Sequence, residues 1–163
     1  MRSDAKESAL KRSDLTRYRR IHFATHAFLD ERVPARSGIA LSLDDPGEDG
    51  MLRMSEILGL RLNAELVVLS ACRTGLGKVV RGEGMVGLTR AFQQAGAERV
   101  AVSLWEVSDA PTADLMRAFY ARIRDGLSPA EALASAKRVF LAGRPAAYAS
   151  PYYWAAFVLN GRR

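Results

Sequence analysis

Apolar positions along the 163-residue chain fall into short blocks whose spacing switches between strand and helix periods. Residues 5–15 predict a short polar helix. Arg19–Thr25 (RRIHFAT) predicts a strand, Gly38–Leu43 (GIALSL) a shorter one, and Met54–Leu60 a short helix. Leu66–Ser70 (LVVLS) is the clearest buried strand, a run of Leu and Val without alternation. After a Gly-rich stretch, Met85, Leu88, Phe92 and Ala95 form one helical stripe, which Gly96 stops. Arg99–Leu104 (RVAVSL) is a strand. Pro111–Arg124 sets Leu115, Met116, Phe119, Tyr120 and Ile123 on one helix face. Ser128-Pro129-x-Glu131 is a capping box with proline at the first helical position, opening a helix to about Leu141. Trp154–Leu159 (WAAFVL) predicts the closing strand.

Strands and helices in this rhythm predict an α/β layer with a mostly parallel sheet. Ligands and chemistry in such sheets gather beyond the carboxyl ends of the strands. His26 follows the first strand, Cys72 follows Leu66–Ser70, and Trp105, Glu106 and Asp109 follow Arg99–Leu104. The one cysteine and one of two histidines thus share a rim. A thiol is mostly protonated at neutral pH, and an imidazole beside it supplies the missing base. Cys72 and His26 are therefore candidates for a nucleophile–base dyad in acyl transfer. Against this stand the ordinary alternatives of a buried inert cysteine and a structural histidine. His22, inside the strand, reads as a packing or hydrogen-bonding residue and ranks below His26.

The length fits one domain. With 48% hydrophobic and 26% charged residues the composition is globular. The net charge of +6 sits at the ends: residues 1–20 carry four of the six charges, and Arg162 and Arg163 the other two. A nucleic-acid-binding domain needs a basic face on its folded body, so nucleic acid is not an expected partner. No apolar run is long enough to span a membrane, and no secretion signal opens the chain. A single cysteine suits a reducing cytoplasm. Two histidines and one cysteine offer no zinc-type cluster, so neither metal nor cofactor is expected.

Two glycine motifs are decoys. Gly82-Glu-Gly84-Met-Val-Gly87 satisfies G-x-G-x-x-G, but Gly82 lies far beyond Ser70 and Glu83 sets an anion where a phosphate would bind. A dinucleotide-binding domain is thus a remote alternative. Gly75-x-Gly77-Lys78 lacks the hydroxyl residue of a P-loop, since Val79 stands there. Arg73–Gly84 instead reads as an active-site loop, with Lys78 and Arg81 as candidate processing sites.

His22-Phe-Ala-Thr-His26 and Leu66-Val-Val-Leu-Ser-Ala-Cys72-Arg-Thr-Gly75 resemble the two signature segments of the CHAT domain. Gly82-Glu-Gly84, Ser103-Leu-Trp105 and Pro151-Tyr-Tyr-Trp-Ala-Ala-Phe-Val-Leu-Asn-Gly161 match its later blocks in order, so the resemblance spans about residues 5–161. That family is similar to caspases and separases and is often fused to tetratricopeptide repeats. The resemblance implies a caspase–haemoglobinase-like three-layer α/β sandwich and a cysteine endopeptidase acting on protein or peptide. By it His26 is the catalytic histidine and Cys72 the nucleophile. The backbone N–H groups of Cys72 and Ala27 form the oxyanion hole. Ser70, Trp105, Glu106 and Asp109 line the pocket for the side chain before the cleaved bond, where a carboxylate favours a basic residue.

Two departures from the family pattern shape further expectations. Ala27 stands where the family usually has glycine, a steric cost if that position needs a positive φ. The family's fold also places two strands before the histidine strand, whereas residues 1–18 here are a polar, basic segment. The expectation is a CHAT domain over 19–161 lacking its first two strands, with Arg19–Thr25 as a bare edge. A separate regulatory or sheet-completing protein would then be a partner. The alternative function is a catalytically silent caspase-like scaffold.

Overall fold

The computed structural model describes residues 5–30, 32–70, 72–73, 83–143 and 148–162, with 72–73 and 83–84 described by their backbone alone. The central sheet runs in the order β1-β5-β7-β8. β1 (Arg20–Phe23), β5 (Leu66–Leu69) and β7 (Arg99–Ser103) are parallel, and β8 (Phe157–Gly161) is antiparallel to β7. The α/β class with a mostly parallel sheet is as the periodicity predicts.

All four residues of β5 are buried, which accounts for its unbroken apolar run. Val67 and Leu69 face one core, shared with Val100, Val102, Phe23, Leu88 and Phe92. Leu66 and Val68 face another, with Ala101, Leu115, Phe119, Ala136 and Phe157. The first core is covered by α2 (Met54–Leu58) and α3 (Glu83–Gln94), the second by α4 (Asp109–Arg124) and α5 (Pro129–Ala142). Helices on both faces make three layers. Phe92 and Phe119 are fully buried on opposite sides, and truncating either to alanine costs about 3–5 kcal/mol.

A second, smaller sheet, β4-β3-β2-β6, decides the position of the site. It comprises β2 (His26–Phe28), β3 (Gly38–Ala40), β4 (Met51–Arg53) and β6 (Cys72–Arg73). Register aligns Ala27, Ile39 and Leu52 in one row, all buried, and Ile39 and Leu52 join the first core. The flanking residues of β2, His26 and Phe28, face outward.

Local chemistry sets the element ends. Ser128 and Glu131 form the predicted capping box, with Ser128 N–H donating to Glu131 Oε2 at 3.1 Å. α4 starts at Asp109, two residues before the predicted Pro111, with its acidic first residue at the positive end of the helix dipole. The closing strand begins at Phe157 rather than Trp154. Pro151–Trp154 is a helical turn, α6, because Ser150 accepts from Tyr152 N–H and Pro151 takes the first helical position.

α1 (Glu7–Arg12) is docked by two Ser8 hydrogen bonds to Asp45, both 2.7 Å. Lys11 Nζ sits among Glu7, Glu48 and Glu56 at 2.7, 2.8 and 2.6 Å. Among the described residues these three carboxylates form a cluster of cation-binding geometry, and the Lys11 ammonium fills it. No helix of the described residues is long and apolar enough to cross a membrane.

Candidate active site

β1 and β5 each give way to a strand of the small sheet after a gap of two residues. β1 ends at Phe23 and β2 begins at His26; β5 ends at Leu69 and β6 begins at Cys72. Pairing is parallel before and after the gap, and the partners stay 46 residues apart in both sheets, Phe23 with Leu69 and His26 with Cys72. Ser70 N–H donates to the Phe23 carbonyl at 3.1 Å, carrying the ladder into the gap. His26 and Cys72 are thus direct neighbours across a strand pair, with backbones about 4.8 Å apart.

A cavity of about 500 Å³ opens beside this seam, within the usual range for ligand pockets. His26, His22, Ser70, Asp109 and Thr112 supply its polar wall, and Val107 and Met116 its apolar one. Thr112 Oγ1 is buried there with no hydrogen-bond partner among the described residues. Ser70 and Asp109, two of the four residues assigned to the substrate pocket, lie in this wall. Trp105 and Glu106 do not. The Trp105 indole donates to the Tyr152 carbonyl at 2.9 Å, and Glu106 is exposed.

Ala27 is buried between β3 and β6. No described non-glycine residue has a positive φ, so alanine carries no backbone strain at that position. Lys78 and Arg81, the candidate processing sites, lie outside the described residues. α3 opens at Glu83, well past the end of β5 at Leu69, which is not the strand-to-helix turn that dinucleotide binding needs.

His22 holds a larger part of this site than its place inside a strand suggests. Its Nε2 is 2.7 Å from Ser70 Oγ and its Nδ1 is 3.0 Å from the Tyr120 hydroxyl. Solvent reaches the ring from the cavity, yet the protein packed around it lowers its pKa from 6.5 through desolvation. Burial pushes the Tyr120 phenol up to about 12, against a smaller opposing pull from Arg20. A protonated phenol facing a neutral imidazole donates to Nδ1, which puts the ring proton on Nε2 and directs it to Ser70 Oγ. The Ser70 O–H then remains for a further acceptor. The sequence signal was the paired histidines of HFATH; what it lacked was Tyr120, 98 residues away.

The CHAT domain profile matches residues 1–162. Tetratricopeptide repeat protein 28 of mouse is 38% identical over 116 residues, 71% of this chain. Its human counterpart is 36% identical over 127 residues, 78% of the chain. The matched region is 5% of the length of each relative. The chain belongs to the CHAT-domain family.

Proposed function

We propose that the chain is a cysteine endopeptidase that uses Cys72 and His26 and accepts a basic side chain before the cleaved bond. The observation that carries this reading is the parallel register of His26 with Cys72, beside a cavity lined in part by Asp109.

His26 takes the Cys72 proton, and the thiolate attacks the substrate carbonyl carbon. The oxyanion that forms is assigned to the backbone N–H groups of Cys72 and Ala27, as the family resemblance implies. Collapse breaks the C–N bond, the amine leaves with the proton held by His26, and a thioester remains. Water, deprotonated by His26, cleaves the thioester, releases the acid and restores the thiol. Asp109 attracts the cationic side chain into the cavity, and Ser70 offers a hydroxyl that His22 orients. No step calls for a metal or cofactor. The substrate is protein or peptide, and a reducing compartment such as the cytoplasm keeps the thiol available. Among the described residues β1 pairs only with β5, so its free edge is where a sheet-completing chain would add a strand.

The test is labelling with a thiol-reactive acyloxymethyl ketone peptide bearing arginine, read by intact mass. Wild type is expected to gain one adduct, Cys72→Ala none, and His26→Ala far less. Folded wild type that stays unlabelled by arginine and by a panel of other side chains overturns the peptidase reading and leaves the scaffold.

A further inference from the structure

We propose that the outward face of the small sheet, beyond His26, binds the leaving half of the substrate. It takes a large apolar side chain at the second residue past the cleaved bond, with an acidic residue beside it. The inference rests on the peptidase reading of His26 and Cys72.

The direction follows from the chemistry. His26 delivers a proton to the departing amine nitrogen, so the leaving segment starts at His26 and runs away from the Asp109 cavity. Phe28 is two residues further along β2, on the same outward face, and 42% exposed. His26 and Phe28 are about 6.6 Å apart along the strand; the second Cα of an extended peptide lies about 5 Å from its first nitrogen, and a large side chain on it covers the rest. A peptide whose first nitrogen meets His26 therefore sets its second side chain against Phe28.

The sheet provides a trough at that point. Register aligns Phe28, Gly38 and Arg53 across β2, β3 and β4. Gly38, in the middle of this row, is buried against β4, where a Cβ would press on the Leu52 carbonyl at 2.7 Å, and the groove is lined by its neighbours. Phe28 and Met51 supply the apolar surface of a groove of about 580 Å³, and Arg36 and Arg53 border it. Three of its four charged groups are already engaged. Arg53 pairs with Asp49 at 2.5 Å, and the Asp30 carboxylate accepts the N–H groups of Arg32 and Val33, both at 2.9 Å. Arg36 is exposed and in no ion pair among the described residues. An apolar floor bordered by a guanidinium that pairs with no carboxylate among the described residues suits an apolar residue flanked by a carboxylate.

Two readouts test this. The first is cleavage of internally quenched peptides with a constant arginine half and a leaving half carrying Leu-Glu, Ala-Glu or Leu-Lys from its second position, beside an arginyl aminomethylcoumarin amide that has no leaving peptide. The second is binding of the fluorescein-labelled Leu-Glu peptide to Cys72→Ala protein. Phe28→Ala is expected to lower kcat/KM for the Leu-Glu peptide about tenfold and to leave the coumarin amide unchanged. Arg36→Glu is expected to invert the preference between Leu-Glu and Leu-Lys, and both variants to shift binding in the same sense. Equal kcat/KM across the three peptides, or equal loss on peptide and coumarin amide, overturns the trough while the peptidase stands. Binding that depends on Phe28 and Arg36 with no cleavage of any substrate overturns the peptidase reading and keeps the trough.

Discussion

His26 and Cys72 are register partners in a parallel strand pair, and the same 46-residue offset holds in the main sheet between Phe23 and Leu69. The two crossings between sheets are therefore equal in length, and neither strand gains a residue on its neighbour. A strand shifted by one residue sends every side chain to the opposite face.

This makes insertions informative. One glycine inserted after Thr25 moves His26 out of step with Cys72 and is expected to lower labelling by the arginyl ketone about 100-fold or more, the usual worth of a general base. A second glycine inserted after Ser70 restores the offset and is expected to recover at least tenfold of that loss. Labelling rates, with circular dichroism as the folding control, decide it. A double insertion no better than the single one would show that register does not set the dyad.

His22 gives a pH dependence of stability with a definite sign. Desolvation holds its folded pKa below the unfolded 6.5, so between the two values the unfolded chain binds more protons than the native one. Stability is then full above about pH 6.5 and declines as pH falls through the folded value. Replacing His22 with asparagine, which keeps polar contact with Ser70 and Tyr120, is expected to flatten the urea-midpoint profile between about pH 7 and 5. A variant profile parallel to wild type would assign the acid sensitivity to another group.

How much of this was legible in the chain depends on element length. β5, β7, α3, α4 and α5 are long enough for a period to show, and each was read within a few residues of its observed span. β2 and β6 have three and two residues, too few for any period, so the small sheet and the outward row of Phe28 and Arg53 stayed invisible. α6 was different. Its Ser150-Pro151 start carries the same signal as Ser128-Pro129, and the apolar run from Trp154 masked it. At the candidate site, His26, Cys72 and Asp109 were reachable because strand ends are where such folds gather side chains, and Ser70 through the family resemblance. The bond from His22 to Tyr120 joins two elements that only the packing of α4 on the sheet brings together.

The Lys11 cluster predicts a second, opposite pH effect. Burial raises the Glu7 pKa, and three carboxylates raise that of Lys11, with Glu48 contributing most. Lys11→Met leaves Glu7, Glu48 and Glu56 facing one another without a cation. Glu7 is buried and the other two are half-covered, so the loss at pH 7 is expected to be on the order of 2–3 kcal/mol. In this variant burial raises the Glu7 pKa with no ammonium opposing it, so the folded state binds more protons than the unfolded one as pH falls. Its deficit against wild type is therefore expected to shrink as pH falls towards 4.5, measured by paired urea titrations. A deficit independent of pH would mean that the lost lysine stem, rather than its charge, supports α1.

Asp109 separates a charge effect from a helix-cap effect. Asp109 borders the cavity and is also the first residue of a 16-residue helix, where either role would explain an acid. Asparagine keeps the size and the hydrogen-bond acceptor of the side chain and removes the charge. If the carboxylate attracts a basic substrate side chain, Asp109→Asn is expected to slow labelling by the arginyl ketone about 10-fold while leaving a leucyl ketone within about twofold. The arginine preference is then expected to weaken with added salt in wild type and to become flat in the variant, because solvent-exposed charges are screened. Equal slowing of both ketones, with a lowered Tm, would instead place Asp109 with the helix and leave the cation to another group in the wall.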